Sequence, residues 1–343
     1  MRVLLFALAL LASFAGKAQD RLPALDADPT GVTVSGVSSG GYMAVQVHVA
    51  HSSAVNGAGI LAAGPFYCAQ GSVWTAYYNC MTPGSGTPLP EVRLLKAHAE
   101  TFARTGLVDP IANVGRARVW LFSGTNDRTV DPAVVESLRR FYSLAGVAEA
   151  QIVLVRDRPA GHAMVTERAG GACPLTAPPF INDCDFDAAG ELLKHLLGPL
   201  EPATAKETGR IVRFDQRPVA DGDAYSIGMA DSGFAYIPKV CETERCRVHV
   251  VFHGCRQNVE AIGERFVREA GYNRWADSNR LVVLYPQTIA RNGWGVSGWR
   301  TSFIFNPRGC WDWWGYTGPQ YANKSGPQVK AVKAMVDRLV SVR

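Results

Sequence analysis

Two serines stand side by side between glycines in the stretch SGVSSGGYMA, Ser35 to Ala44. Gly36-Val37-Ser38-Ser39-Gly40 fits G-x-S-x-G with Ser38 at its centre, the spacing of a nucleophile elbow. In such an elbow the serine sits on a strained turn between strand and helix, and small residues two positions before and after it let neighbouring backbones pass. Ser39 would have Val37 at the earlier of those positions, so Ser38 is the expected nucleophile and Ser39 its rival. A serine hydroxyl needs a base to take its proton and a carboxylate to hold that base in the right tautomer. Asp127, in SGTNDRTV, and His162, in RDRPAGHAM, follow the serine in the order Ser, Asp, His used by α/β-type hydrolases. Asp131 is the rival acid, although a helix N-cap already accounts for it. His253, in VVFHGC, is the rival base, although a His-Gly pair at a strand end usually supplies an oxyanion-hole amide instead. The expected oxyanion donors are the amide of Ser39, directly after the nucleophile, and that of Cys255 or Gly254.

Periodicity shows which elements must position these groups. GVTVSG from Gly31 alternates as a strand, glycines turn the chain, and YMAVQVHVAHSSA can run as a helix. ARVWLFSG, Ala117 to Gly124, reads as a buried strand. DPAVVESLRRFYSLAG follows as a helix, with Asp131 as N-cap, Pro132 at the first helical position and Gly146 at the end. QIVLVRD, Gln151 to Asp157, is a strand and FDAAGELLKHLLG, Phe186 to Gly198, a helix. After a polar connection come two antiparallel-looking strands, RIVRFDQ and GFAYIPKV. A βαβ unit follows: CRVHVVFHG from Cys246, a helix around Asn258 to Ala270, and RLVVLYPQT from Arg280. A loop rich in Gly and Trp leads to a last helix over Val329 to Val342. Alternation of this kind predicts a mostly parallel sheet flanked by helices on both faces. The His-Gly strand follows the nucleophile here, whereas hydrolases usually place it before. A circular permutation of one α/β-hydrolase domain explains this, because each half lacks strands the other supplies.

The chain has 343 residues, 47% of them apolar, enough for a large core and inconsistent with disorder. Its start, MRVLLFALALLASFAGKAQD, has one basic residue, an apolar run from Val3 to Leu11 and small residues at Gly16-Lys17-Ala18. This is the layout of a secretory signal peptide, residues 1–18, leaving 19–343 as a single catalytic domain. No later run is long enough for a membrane anchor, so a secreted, extracellular protein is expected. Export favours disulfides among the eight cysteines over a metal, and no C-x-x-C pair occurs. Their positions suggest Cys68 with Cys80, Cys173 with Cys184 and Cys241 with Cys246, leaving Cys255 and Cys310. The formal charge of +5 is scattered rather than striped, which argues against nucleic acid. No cofactor is called for, and a monomer is expected.

The stretches SGVSSGGYMA, AAGPFYCA, CPLTAPPFINDCDFDAAG, HVVFHGCRQ, GYNRWADSNRLVVLYPQ and GCWDWWGY resemble the extracellular poly(3-hydroxybutyrate) depolymerases of the single-domain kind with a circularly permuted α/β-hydrolase fold. The likeness runs through nearly all of the mature chain. It implies Ser38 as nucleophile, Asp127 as acid, His162 as base, and the amides of Ser39 and Cys255 as oxyanion hole, with a polyester as substrate. Many bacterial members add a linker and a C-terminal polymer-binding domain not seen here, so amorphous polymer or soluble oligomers are expected substrates more than crystalline material.

Trp294, Trp299, Trp311, Trp313 and Trp314 crowd one loop region. A Cys255–Cys310 bridge would tie CWDWW beside the oxyanion hole, since bridged Cα atoms lie within about 7 Å. The loop would then wall the cleft against the methyl and methylene groups of an aliphatic polyester, and the resemblance implies Trp313 as the main contact, with Trp311 and Trp294 as further candidates. The plainer expectation for some of these indoles is core packing. Two other functions fit less well: a secreted feruloyl or acetyl esterase acting on plant polysaccharide, and a non-catalytic polymer-binding protein.

Overall fold

The computed structural model describes residues 20–84, 86–297 and 300–343. The segment 1–18, expected to be a signal peptide, and Trp299 therefore lie outside the described residues. The chain opens with β1 (Val32–Val37), α1 (Ser39–Ala50) and β2 (Val55–Leu61). Two helices, α2 (Val73–Cys80) and α3 (Val92–Arg104), precede β3 (Arg118–Phe122), α4 (Pro132–Leu144) and β4 (Ile152–Val155). A small sheet of β5 (Met164–Thr166), β6 (Gly171–Ala172) and β7 (Ile181–Asp183) leads to α5 (Ala188–Leu197), β8 (Arg210–Asp215) and β9 (Ser232–Ile237). Then follow β10 (Arg247–Phe252), α6 (Val259–Ile262), α7 (Arg265–Glu269), α8 (Tyr272–Ser278), β11 (Leu281–Tyr285), the hairpin strands β12 (Arg291–Ser297) and β13 (Arg300–Asn306), and α9 (Pro327–Val340).

One eight-stranded sheet has the order β4-β3-β2-β1-β10-β11-β9-β8. From β4 to β11 neighbouring strands are parallel, while β9 runs antiparallel to both β11 and β8. The central strands are buried along their whole length, as in VTVSGV and LVVLY, because helices cover both faces and no side can afford polar alternation. The helices α1, α4 and α9 pack over one face, α5 and α8 over the other. Inside the sheet, Thr33 and Ser35 on β1 hydrogen-bond the two ring nitrogens of His249 on β10, each at 2.8 Å, and the Ser35 hydroxyl donates to the Tyr272 hydroxyl at 2.9 Å. This buried polar chain locks the register Val34 to Val250 directly beneath the turn that carries Ser38.

Two expectations are corrected. The helix read over Asn258 to Ala270 is two short helices, because Gly263 takes a φ of 61° between them and breaks the helical path. The Gly- and Trp-rich region before the last helix is not a plain loop but contains the β12–β13 hairpin, with Trp294 opposite Phe303. Glycines at 293 and 295 hid the strand period of β12, although TSFIF on β13 does alternate, with Ile304 buried and Phe303 and Phe305 exposed. The bridges Cys68–Cys80, Cys173–Cys184, Cys241–Cys246 and Cys255–Cys310 are all formed.

Candidate active site

Ser38 lies between β1 and α1 with φ 57° and ψ −125°, a conformation that L-residues adopt only when their surroundings enforce it. Here the enforcement is close backbone packing. A β-carbon on Gly36 would lie 2.3 Å from the Gly40 carbonyl oxygen, and one on Gly40 would lie 2.3 Å from the Phe252 carbonyl oxygen. The Ser38 amide donates to the Leu61 carbonyl at 2.9 Å, and its own carbonyl starts the helix by accepting from Tyr42 N–H. The turn therefore presents the hydroxyl at the carboxyl edge of the parallel strands, where open α/β sheets place their ligands.

The loops after β3 and β4 bring the other two groups to the same edge. His162 Nε2 lies 2.8 Å from Ser38 Oγ, and its Nδ1 lies 2.8 Å from Asp127 Oδ2. The second Asp127 oxygen accepts the N–H groups of Thr129 and Val130, at 2.7 and 3.0 Å, so the carboxylate is oriented from behind. Asp127 is almost wholly buried and the imidazole only slightly exposed, while the His162 amide is held by Thr176 Oγ1 at 2.9 Å. Asp131 is spent elsewhere: it caps α4 by accepting from Ala133 N–H.

His253 does not face Ser38. Its Nδ1 donates to the Gly254 carbonyl at 2.8 Å and its Nε2 accepts from Thr288 N–H at 3.2 Å, which fixes one neutral tautomer. Complete burial pushes its pKa down to about 4. Gly254 and Cys255 were alternative oxyanion donors, and the hydrogen bonds separate them. Gly254 N–H is taken by Gln257 Oε1 at 2.7 Å and Arg256 N–H by the Arg308 carbonyl at 2.7 Å, whereas Cys255 N–H has no protein partner among the described residues. Ser39 is the first residue of α1, so its N–H has no carbonyl one turn back inside the helix. Ser39 follows β1 and Cys255 follows β10, two strands that pair beside each other, and Ser38 and Cys255 line the same cavities. Gln257 went unnoticed in the sequence, yet its amide nitrogen also donates to the Phe180 carbonyl at 2.7 Å, joining the loop after β10 to the segment between β6 and β7.

Ser38 stands where two cavities of about 320 and 280 Å³ meet. The larger is walled by Tyr42, Val73, Tyr77, Val130, Trp313 and Trp314 among others, and it is strongly apolar. Trp313 stacks on Tyr42, one turn along α1 from Ser38, with centroids 4.0 Å apart and planes 8° from parallel. The tryptophan turn is held by the buried Asp312, whose carboxylate accepts from Gly315, Tyr316 and Thr317 N–H and from the Thr317 hydroxyl. Trp311 does not line the cleft: it is fully buried edge-on against Phe252. Trp294 is also elsewhere, 74% exposed on the hairpin against Phe303. Chain spacing could not separate Trp311 from Trp313, because the loop is irregular and only its packing decides which indole turns inward. Tyr77, Val73 and Phe305 complete the wall without having been singled out.

A Ser, His and Asp set on the carboxyl edge of a mostly parallel sheet, with two free amides beside the serine, is the arrangement of the serine esterases of the α/β-hydrolase class. No family model matches the chain. The chain is 44% identical over 328 residues to a poly(3-hydroxybutyrate) depolymerase of Delftia acidovorans, covering 93% of itself and 62% of that relative. It thus spans less than two thirds of that protein. It is 34% identical over 331 residues to a polyhydroxybutyrate depolymerase of Talaromyces funiculosus, covering 93% of itself and 92% of that relative. Among solved structures, a serine-to-alanine PHB depolymerase complexed with R3HB trimer superposes with a TM-score of 0.82 at 33% identity, over 93% of this chain and 98% of that one. The crystal structure of PHB depolymerase from Penicillium funiculosum matches at 0.82 and 32%, with the same coverage. The chain belongs to the poly(3-hydroxybutyrate) depolymerase family.

Proposed function

We propose that the chain is a secreted serine esterase that hydrolyses poly(3-hydroxybutyrate), related short-chain polyhydroxyalkanoates or their oligomers. The observation that carries this reading is the unbroken hydrogen-bond chain from Ser38 through His162 to Asp127, opening onto an aromatic cleft with room for an aliphatic chain. In acylation His162 Nε2 takes the Ser38 proton as Oγ attacks the ester carbonyl, and the oxyanion lies against the amides of Ser39 and Cys255. Collapse breaks the ester C–O bond, with His162 returning the proton to the leaving alkoxide. Water activated by His162 then releases the 3-hydroxyacid from Ser38, while Asp127 keeps the imidazole in the required tautomer throughout.

Secretion is supported by the leader-like first residues and by four cystines, and no helix among the described residues is long and apolar enough to cross a membrane. A single permuted domain over 19–343 is supported by the sheet order, in which strands from the two halves of the chain lie side by side at β1 and β10. The test is clearing of a polyhydroxybutyrate film, with Ser38→Ala as control and methyl ferulate alongside. Clearing that Ser38→Ala abolishes supports the reading. Turnover of methyl ferulate without clearing would transfer the chain to the feruloyl esterases.

A further inference from the structure

The second cavity contains a feature that a neutral polyester does not call for. Arg256 and Arg308 both line it, and Arg308 also borders the first cavity. They are held side by side by the bond from Arg256 N–H to the Arg308 carbonyl at 2.7 Å, and Arg256 takes a left-handed φ of 60° there. The Cys255–Cys310 bridge fastens the same two segments. Both side chains are exposed, and neither guanidinium is hydrogen-bonded or ion-paired among the described residues. No acidic residue is among those lining either cavity. Two uncompensated guanidinium groups thus border an otherwise uncharged cleft, where each presents a planar fork suited to a carboxylate.

The direction of the reaction says which end of a substrate they meet. The alkoxide that leaves must receive its proton from His162, and His162 lines the second cavity. In a chain of 3-hydroxyacids the fragment that leaves as the alcohol runs on to the carboxyl terminus. The second cavity therefore receives the part of the substrate that ends in the only charge the polyester has. Its volume of about 280 Å³ is at the small end of ligand sites, which suits a short leaving segment.

We propose that Arg256 and Arg308 form a binding site for the terminal carboxylate of a 3-hydroxyacid oligomer, so that short chains with a free acid end are cleaved near that end. This rests on the esterase reading above. The test compares a 3-hydroxybutyrate trimer as free acid with its methyl ester, which lacks the charge, for the wild type, Arg256→Gln, Arg308→Gln, the double variant and Arg308→Lys. For the free acid, kcat/KM is expected to fall about threefold in each single glutamine variant and roughly tenfold in the double, mostly through KM, with Arg308→Lys between. The methyl ester should be cleaved equally by all of them. Added salt should raise the wild-type KM for the acid and leave that for the ester unchanged, since exposed ion pairs are screened. Equal effects on acid and ester, or none on either, overturn the carboxylate site while leaving the esterase reading standing. Wild-type protein that cleaves neither trimer overturns both.

Discussion

Replacing His253 by leucine tests whether the oxyanion hole is aimed by a residue that never touches substrate. Peptide bonds are planar and trans, so the Gly254 carbonyl and the Cys255 N–H lie on opposite sides of one rigid unit. His253 Nδ1 and Gln257 N–H both hold the carbonyl end, at 2.8 and 3.2 Å, and the tested role is that the imidazole turns the N–H end towards Ser38. Leucine removes the acceptor for Thr288 N–H and one of the two donors to the Gly254 carbonyl, which keeps Gln257 N–H at 3.2 Å, so one buried backbone group is left unpaired and a stability loss of about 1–3 kcal/mol is expected. Outright loss of one oxyanion donor costs about 10²–10³ in kcat, and a donor left in place but released from its orientation should cost part of that, roughly tenfold to a hundredfold. The interaction strengthens only in the transition state, so kcat and kcat/KM should fall together with KM little changed. Asparagine can place an N–H near the Nδ1 position and should recover most of the rate. Steady-state kinetics on a soluble butyrate ester, with urea unfolding in parallel, supply both numbers. A folded leucine variant with kcat within about twofold of wild type would refute the aiming role. A folded leucine variant as inactive as Ser38→Ala would also refute it, since misaiming one donor cannot remove as much as losing the nucleophile.

Ser38→Ala should lower kcat by at least about 10⁴ with unfolding within about 1 kcal/mol of wild type. Ser39→Ala keeps its amide and gives up only a long 3.4 Å bond from Trp311 N–H, so it should lose less than about tenfold; the reverse ranking in an ester assay would exchange their roles. Trp313→Phe keeps a ring against Tyr42 but shortens the cleft wall, and it should raise KM for an oligomer a fewfold with kcat on a small ester unchanged; equal KM values would remove Trp313 from the site. His48, His249 and His253 are buried neutral, with pKa values pushed to about 4, 3 and 4 by burial, against an ordinary value near 6.5. The unfolded chain therefore binds more protons between those limits. Stability should be complete above about pH 6.5 and decline as pH falls towards 4, by about 2 kcal/mol per histidine at pH 5. A urea midpoint unchanged between pH 7 and 5 would contradict this.

The reacting residues were legible in the sequence because their requirements are local. An elbow needs small residues at fixed offsets from its serine, and Gly36 and Gly40 stand where a β-carbon would meet backbone. Asp127 and His162 could be found because each sits just past a strongly apolar strand, and parallel strands bring such positions to one edge. The surroundings were harder, since they depend on packing between segments far apart in the chain. Tyr77 reaches the cleft from α2 and Phe305 from β13, elements whose patterns say nothing of each other. The hydrogen bond from His253 to the Gly254 carbonyl is invisible to motif reading, because it forms only when the loop after β10 folds back on the imidazole. The arginine pair escaped notice for a related reason: Arg256 and Arg308 are ordinary exposed cations until the β10 loop and the hairpin's end are brought together.

The cystines are unevenly placed with respect to the sheet. Cys68–Cys80, Cys173–Cys184 and Cys255–Cys310 all bind segments at the carboxyl edge, and Cys241–Cys246 closes a turn at the opposite end. The sheet and its helices are held mainly by apolar contact and buried hydrogen bonds, whereas three of the four cystines fasten the rim around Ser38. The bridge from Cys255 closes the longest loop, 55 residues, and its removal should cost about 4 kcal/mol on chain entropy. With its thiols reduced the chain is expected to stay compact around its two apolar clusters while the rim around Ser38 loosens, so reduction should lower ester turnover before it lowers helix content, as activity and circular dichroism measured side by side would show.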